Sequence, residues 1–180
     1  MKIIDILNSK KTISFEFFPP KQESDLPKLH ETVDRLSTYN PDFVSFTYGA
    51  GGNTRQLTTQ VSKEAKLSDK FEVMSHLTCI AHNEKEILDI LKDLSLSNIE
   101  NIIALRGDTP KDMNISNNNL KHGTDLIEII KSNFSNFCIA GACYPEAHPE
   151  SNNFEDEIFF TKMKQDKGAD FLITQLFYDN

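Results

Sequence analysis

The sequence is short of positive charge, long apolar runs and paired cysteines, and each shortage removes a class of function. Its 180 residues carry 19 basic against 27 acidic side chains, a formal charge of −8. A nucleic-acid binder would usually show a basic face or stripe, so no nucleic-acid partner is expected. No stretch approaches the roughly 18 apolar residues of a membrane span. The opening MKIIDILNSKK is too short and too charged for a secretory signal, so no membrane partner is expected either. Cys79, Cys138 and Cys143 form no CxxC pair and no disulfide framework, and they read as reduced thiols of a cytoplasmic protein. No GxGxxG follows the first β-type run and no P-loop occurs, so the usual dinucleotide-fold signals are missing. No linker, low-complexity tract or charge block marks a boundary, and residues 1–180 read as a single domain.

What is present is an alternation of short β-type runs and helix-period segments, with 13 Phe in the 38% of apolar residues that can build one core. Thr12–Phe18 reads as a strand stopped by Pro19 and Pro20. Leu26, Leu29, Val33 and Leu36 follow at helical spacing. Phe43–Thr47 is a second strand, closed by Gly49–Gly52, and Leu57, Val61 and Ala65 mark the next helix. Phe71–Ile80 contains a third strand. Asn83 and Glu86 form a capping pair before Ile87, Leu91 and Leu94. Asn101–Leu105 is a fourth strand, followed by an Asn-rich loop and a helix carrying Leu126, Ile129 and Ile130. Phe137–Cys143, Phe154–Lys167 and Asp170–Phe177 give a fifth strand, a helix and a sixth strand. Such alternation predicts a parallel sheet with right-handed crossovers, in the α/β class.

Reactive side chains cluster at the C-terminal ends of these strands: Glu16; Thr47 and Tyr48; His76; Arg106 and Asp108; Tyr144; Gln175. That placement is the mark of a (β/α)8 TIM barrel, whose sites are built on one face from several strand ends. Glu16 lies within FEFFPP, where desolvation would raise its pKa and suit it to general acid work; strand alternation could instead turn it to solvent. Arg106 is one of only three arginines. Gly107 beside it permits close backbone approach, and Asp108 can hydrogen-bond a polar ring, although the two charges could also form a plain surface pair. Tyr144 and His148 sit on a proline-stiffened loop. Lys162 and Lys164 follow on a helix, within reach of a phosphate unless they form a solvated face.

FEFFPPK, FVSFTYGAGGNTR, SHLTCI, IIALRGDTP, YPEAHPES and KGADFLITQLFYDN occur in the order and spacing of the methylenetetrahydrofolate reductase family, which the chain resembles from Ser14 to Asn180. The resemblance implies a (β/α)8 barrel flavoprotein that reduces 5,10-methylenetetrahydrofolate to 5-methyltetrahydrofolate, with FAD as cofactor and NADH or NADPH as hydride donor. It implies that Glu16 is the general acid opening the imidazolidine ring. It makes Asp108 the second catalytic carboxylate, beside flavin and pterin. Thr47 and Gln175 would touch folate or nicotinamide, with Thr47 also near the flavin. Tyr48, Ala50, His76, Arg106, Gly107, Cys143, Tyr144, His148 and Lys164 match FAD-contacting positions, and His122, Gly123 and Glu157 do so more loosely.

The family barrel runs through eight strands, about 250 residues for such folds in general, whereas the sixth β-run here reaches the last residues. An incomplete barrel is therefore expected: a truncated chain with two unpaired edges, marginal stability and no folate turnover by itself. Those edges leave room for a homo-oligomer. One alternative is a non-catalytic fragment that keeps only a flavin-binding face. Another is a barrel metallohydrolase using His76, His82, His148 and Asp108, which lacks any tight ligand spacing; no metal site is expected.

Overall fold

The computed structural model describes residues 1–48, 52–80, 82–108, 120–148, 151 and 153–178, those of 52–55 by backbone alone. A helix α1 (Ile3–Ser9) precedes strand β1 (Ser14–Phe17). There follow α2 (Leu26–Ser37), β2 (Phe43–Phe46), α3 (Gly52–Leu67), β3 (Glu72–Thr78), α4 (Glu84–Leu96), β4 (Asn101–Leu105), α5 (Gly123–Asn133), β5 (Cys138–Cys143), α6 (Phe154–Asp166) and β6 (Phe171–Thr174). Among the described residues no helix is long and apolar enough to cross a membrane.

All five strand pairings are parallel, and the order in the sheet is the order in the chain. A doubly wound sheet must reverse direction at a switch point. This one never does, so right-handed crossovers carry α2 to α6 to the same face. The result is an arc of about six units of a (β/α)8 barrel, as the strand-end pattern predicts. Local chemistry sets the helix ends. Asn83 accepts from the Glu86 N–H at 3.0 Å while the Glu86 carboxylate accepts from the Asn83 N–H at 2.8 Å, so the expected capping box is present. Helices α2, α3 and α4 stop near Asn40, Asp69 and Asn98, all with left-handed backbones.

Strand alternation then divides the core. On the helix side, Phe17, Val44, Phe46 and Val73 pack with Leu57, Val61 and Ala65. Leu77, Ile102, Ala104 and Ile139 pack with Leu91, Leu94, Leu126 and Ile130. On the concave side Phe43, Met74, Ile103 and Ala140 meet Ile3. The register sets Glu16, Ser45, Met74, Asn101 and Cys138 on one inner level, and His76, Ile103, Ala140 and Phe171 on the next. Helix α6 is inverted relative to its neighbours. Glu157 is buried while Phe154, Ile158, Phe159 and Phe160 are exposed.

Helix α1 has no counterpart in the sequence reading. Its seven residues are too few to stand alone, and it is held by docking under the arc. The fully buried Asn101 accepts from the Ile3 N–H at 2.8 Å and donates to the carbonyls of Met1 (3.1 Å) and Val73 (3.4 Å). Beside it the chain amino group meets Glu72 at 2.9 Å, and Lys66 meets the same carboxylate at 2.8 Å.

Two outcomes follow from that anchor. Asn101→Ala leaves buried backbone groups without a partner, which costs about 1–3 kcal/mol and should lower the urea midpoint while far-UV circular dichroism is kept. Burial pushes the Glu72 carboxyl up, but Lys66 and the chain amino group outweigh it and hold it below its ordinary 4.5. A carboxyl lowered on folding contributes stability that is complete above its unfolded value and lost as pH falls through the folded one. The difference in melting temperature between the native protein and Glu72→Gln should therefore be full near neutral pH and close below pH 4.5.

Candidate active site

Because every strand points the same way, all six C-terminal ends share one rim. Glu16 is the third residue of β1 and His76 the fifth of β3. Thr47 and Tyr48 directly follow β2; Arg106, Gly107 and Asp108 follow β4; Cys143 ends β5 and Tyr144 follows it; Gln175 follows β6. His122 caps α5 and Gly123 is its first residue, while Glu157 and Lys164 lie on α6. Ala50 lies outside the described residues, as do Gly49 and Gly51.

At the left of the arc, Glu16 meets two cross-strand neighbours. The Ser45 hydroxyl donates to its Oε2 at 3.5 Å, and His76 Nε2 lies 3.3 Å from the same oxygen. The two sides of this contact differ in exposure: the His76 side chain is 8% exposed and the Glu16 side chain 51%. The expected desolvation of Glu16 is corrected here. Phe15 and Phe17 flank it in sequence but alternate to the helix side, so the carboxyl faces the open concave surface. The His76 contact pulls its pKa down, partial burial works against that, and Ser45 adds to the lowering. The carboxyl sits below its ordinary value instead of above it.

Around β2 and β3 the rim is braced by polar contacts. The Thr58 hydroxyl donates to the Thr47 carbonyl at 3.0 Å, and the Tyr48 hydroxyl lies 2.9 Å from His82 Nε2. At the end of β4, Gly107 has φ +83, and a Cβ there would sit 2.8 Å from Thr78 Cβ and 2.9 Å from Ile80 Cγ2. Only glycine allows that turn. It aims Arg106, whose Nε donates to the Gly107 carbonyl at 3.3 Å, and leaves Asp108 exposed. A Cβ on Gly123 would come 3.3 Å from the Ala104 carbonyl, so the first turn of α5 lies close against the strand end.

The right of the arc is built around Lys164. Its stem runs over Gly141, where a Cβ would be 3.4 Å from the lysine's own Cβ. Its ammonium donates to the Ala142 carbonyl at 2.7 Å and stands 5.6 Å from the centre of the Tyr144 ring. Burial pushes the Lys164 pKa down, with Glu157 opposing. Among the described residues no carboxylate is within ion-pair distance of it. Glu157 instead accepts from the Ser151 hydroxyl at 2.9 Å and the His148 N–H at 3.3 Å, stapling the loop after β5. Tyr144 and His148 stack edge to face at 4.7 Å, and burial raises the Cys143 thiol. Lys162, the other candidate phosphate ligand, points to solvent and pairs with Asp166. Gln175 is exposed at the rim, its side-chain oxygen accepting from the Leu176 N–H at 3.0 Å.

The metal alternative does not converge: His76 faces Glu16, His82 faces Tyr48, and His148 packs on Tyr144. Among the described residues no group of three His, Cys, Asp or Glu is arranged around a common point. Sequence reasoning overlooked Ser45 and Gly141 as site residues, and considered His82 only as a metal ligand. The signal for Ser45 was available, since it alternates with Val44 and Phe46 onto the face of Glu16. A groove of about 560 Å³ beside β1 includes Glu16 with Phe15, Phe18 and Lys28 in its wall. A larger cavity of about 770 Å³ lies between α3 and α4, with Tyr48 and His82 at its rim side. The larger is walled mainly by side chains of α3 and α4, and the smaller by β1 and α2.

The family model for methylenetetrahydrofolate reductase matches residues 2–180. The chain belongs to the methylenetetrahydrofolate reductase family. It is 37% identical to the 5,10-methylenetetrahydrofolate reductase of Pectobacterium carotovorum, covering 96% of this chain and 57% of that protein. It is 39% identical to the Salmonella typhimurium reductase, over 93% and 55% of the two chains. The Arabidopsis thaliana methylenetetrahydrofolate reductase (NADH) 1 is 36% identical over 99% of this chain and 33% of its own. The chain thus spans from a third to just over half the length of these reductases. A solved structure of an uncharacterized Clostridium thermocellum protein that binds two copies of 5-methyl-5,6,7,8-tetrahydrofolic acid superposes with a TM-score of 0.71 at 19% identity, covering 97% of this chain and 57% of that one. A 2,3-dimethylmalate lyase superposes at 0.60 and 11% identity. At these identities the two structures speak to the fold.

Gly107 gives a direct test of the rim within this reductase family member. Gly107→Ala places a methyl group against Thr78 at a left-handed backbone, a strain of about 1–3 kcal/mol. Its melting temperature should drop, and limited proteolysis should cut first near residues 106–108.

Proposed function

We propose that this chain is a flavin-binding catalytic domain that reduces 5,10-methylenetetrahydrofolate to 5-methyltetrahydrofolate, with NADH or NADPH as donor. The observation that carries the reading is the pairing of two features on one rim. Glu16 stands at one end with His76 and Ser45 around its carboxylate. The half-buried Lys164 stands at the other, near Glu157 but with no carboxylate at ion-pair distance among the described residues. A buried cation of this kind calls for an anion, and the pyrophosphate of FAD supplies one, with Arg106 as a second donor. Gly107, Gly123 and the loop of Tyr144 and His148 leave backbone and aromatic surface for a flat cofactor. Tyr48, Cys143, His122 and Glu157 line or brace the same rim.

FAD, when bound, supplies the hydride carrier between nicotinamide and folate. The chain's own residues do the rest. Glu16 gives a proton to an imidazolidine nitrogen of the folate. Asp108, exposed beyond β4, accepts hydrogen bonds from the pterin. Thr47 and Gln175 hold folate or nicotinamide over the arc. A ring lying on Glu16 removes water from its carboxyl and raises its pKa toward that of a usable acid. The family membership supports the folate chemistry, as does the folate bound by the Clostridium thermocellum protein. The Arabidopsis relative is named for NADH.

Flavin binding tests the reading first. Protein mixed with FAD and freed of excess by gel filtration should keep absorption between 300 and 500 nm. Protein that stays colourless counts against the assignment. Lys164→Met removes one charge-assisted contact, worth about 1.5–3 kcal/mol, and should weaken FAD binding by roughly 10- to 100-fold. Lys162→Met should not.

Glu16→Gln tests the acid. Folate reduction should fall by roughly 10²-fold or more while reduction of bound flavin by NADH survives. Equal loss of both would make Glu16 structural. One observation favours a second reading, a flavin-binding unit without folate turnover: β1 and β6 each pair with a single neighbour. Retained FAD with no methyltetrahydrofolate formed in the native protein would select it.

A further inference from the structure

His76 has a feature that flavin contact alone leaves unexplained. Its Nε2 is buried and has no hydrogen-bond partner among the described residues, yet it lies 3.3 Å from Glu16 Oε2. A buried ring nitrogen without a bond is costly. At this distance charge attraction operates although the N–H is not aligned on the oxygen, so a small turn of the half-exposed Glu16 would complete the bond. The Ser45 hydroxyl already reaches that same oxygen from β2, at 3.5 Å. The three side chains come from β1, β2 and β3, all on the concave face, and the strand register fixes their spacing.

We propose that His76 and Glu16 work as one proton-holding pair, in which His76 keeps the proton and Ser45 fixes the carboxylate oxygen that receives it. The proposal rests on the reading of Glu16 as the acid and deepens it. While the concave face is open to water the carboxylate is solvated and ionised, and in the proposed pair the shared proton then resides on the imidazole. A flat ring covering the carboxylate withdraws that water. Two buried charges then become costly relative to a neutral imidazole and a neutral carboxylic acid. The N–H bond at His76 Nε2 breaks and an O–H bond forms at Glu16 Oε2. Glu16 then delivers this proton to the folate nitrogen and returns to carboxylate, and a solvent proton reloads His76 when the face reopens. His76 is thus a positioning and proton-storing residue that acts through Glu16.

Other charges around the pair are accounted for. Below it on β3, Glu72 is tied to Lys66 and the chain amino group. From the α2 side, Asp25 and Lys28 share the groove wall with Glu16. Beyond β4, Arg106 and Asp108 stand at the rim. The inner neighbours on β4 and β5, Ile103 and Ala140, carry no charge.

The test is carbon-13 NMR of the 180-residue protein labelled at the Glu carboxyl and the His ring, with the Glu16 signal assigned by its loss in Glu16→Gln. In the native protein the Glu16 and His76 signals should each show two steps with pH, because each senses the other's titration. In His76→Gln the Glu16 step should become single and move to higher pH, and Ser45→Ala should move it the same way by less. Adding FAD and 5-methyltetrahydrofolate at neutral pH should shift the native Glu16 signal toward the protonated position and, in the same samples, the His76 ring signals toward the neutral form. A Glu16 shift with unmoved His76 signals would overturn the transfer. Independent single steps in the native protein would overturn the pairing without any variant being needed. An unmoved Glu16 titration in a folded His76→Gln would overturn it equally. Failure to bind FAD would instead sink the flavoprotein reading, while two-step titration in the ligand-free protein would leave the pairing intact.

Discussion

Everything in this structure depends on parallel pairing between strands that are neighbours in the chain. Parallel strands need a crossover, and a right-handed crossover that never changes direction puts α2 to α6 on one side. The opposite face is left free of those helices, and all strand ends share a rim. Two consequences of opposite character follow. The helix side is filled by Phe, Val, Ile and Leu from both layers. The concave side carries Glu16, Ser45, His76 and Asn101 among a smaller set of apolar residues. Polar side chains can stand there because their polar neighbours lie on other strands: Ser45 bonds to Glu16, Asn101 to the Val73 carbonyl, and His76 stands 3.3 Å from Glu16.

That distinction explains what could be read from the sequence. Strand and helix order, the capping box at Asn83 and the rim position of each reactive residue were legible, because they depend on periodicity and on punctuation by Pro, Gly and Asn. The six motifs carried the family. The state of Glu16 was not legible. Its sequence neighbours are phenylalanines, but its physical neighbours are Ser45 and His76 on other strands, and these reverse the direction of its shift. Lys162 and Lys164 looked alike in sequence, yet two residues along a helix turn one to Asp166 and the other under Tyr144. Helix α1 was missed because its stability comes from a contact with Asn101 that no local pattern encodes.

Two charges on α6, at one end of the rim, are buried in different ways. Glu157 is buried as a brace, with a hydroxyl and a backbone N–H on one oxygen. Lys164 is half-buried, and among the described residues its close contacts are a carbonyl and a ring, with no carboxylate at ion-pair distance. The first arrangement is complete in itself and rigidifies a loop. The second is short of negative charge, and such incompleteness is typical of a group that serves a ligand.

The anchoring of α1 also bears on the order in which the chain assembles. Each strand pairs with the next one along, so most of the sheet forms from contacts between adjacent units and closes only modest loops. The bond from Ile3 to Asn101 spans 98 residues. It has nothing to dock on until β4 lies beside β3, because Asn101 itself reaches the Val73 carbonyl. The helix made first therefore waits for the middle of the sheet. Its docking on the floor of the arc thus depends on β3 and β4 being paired, and runs through one amide side chain.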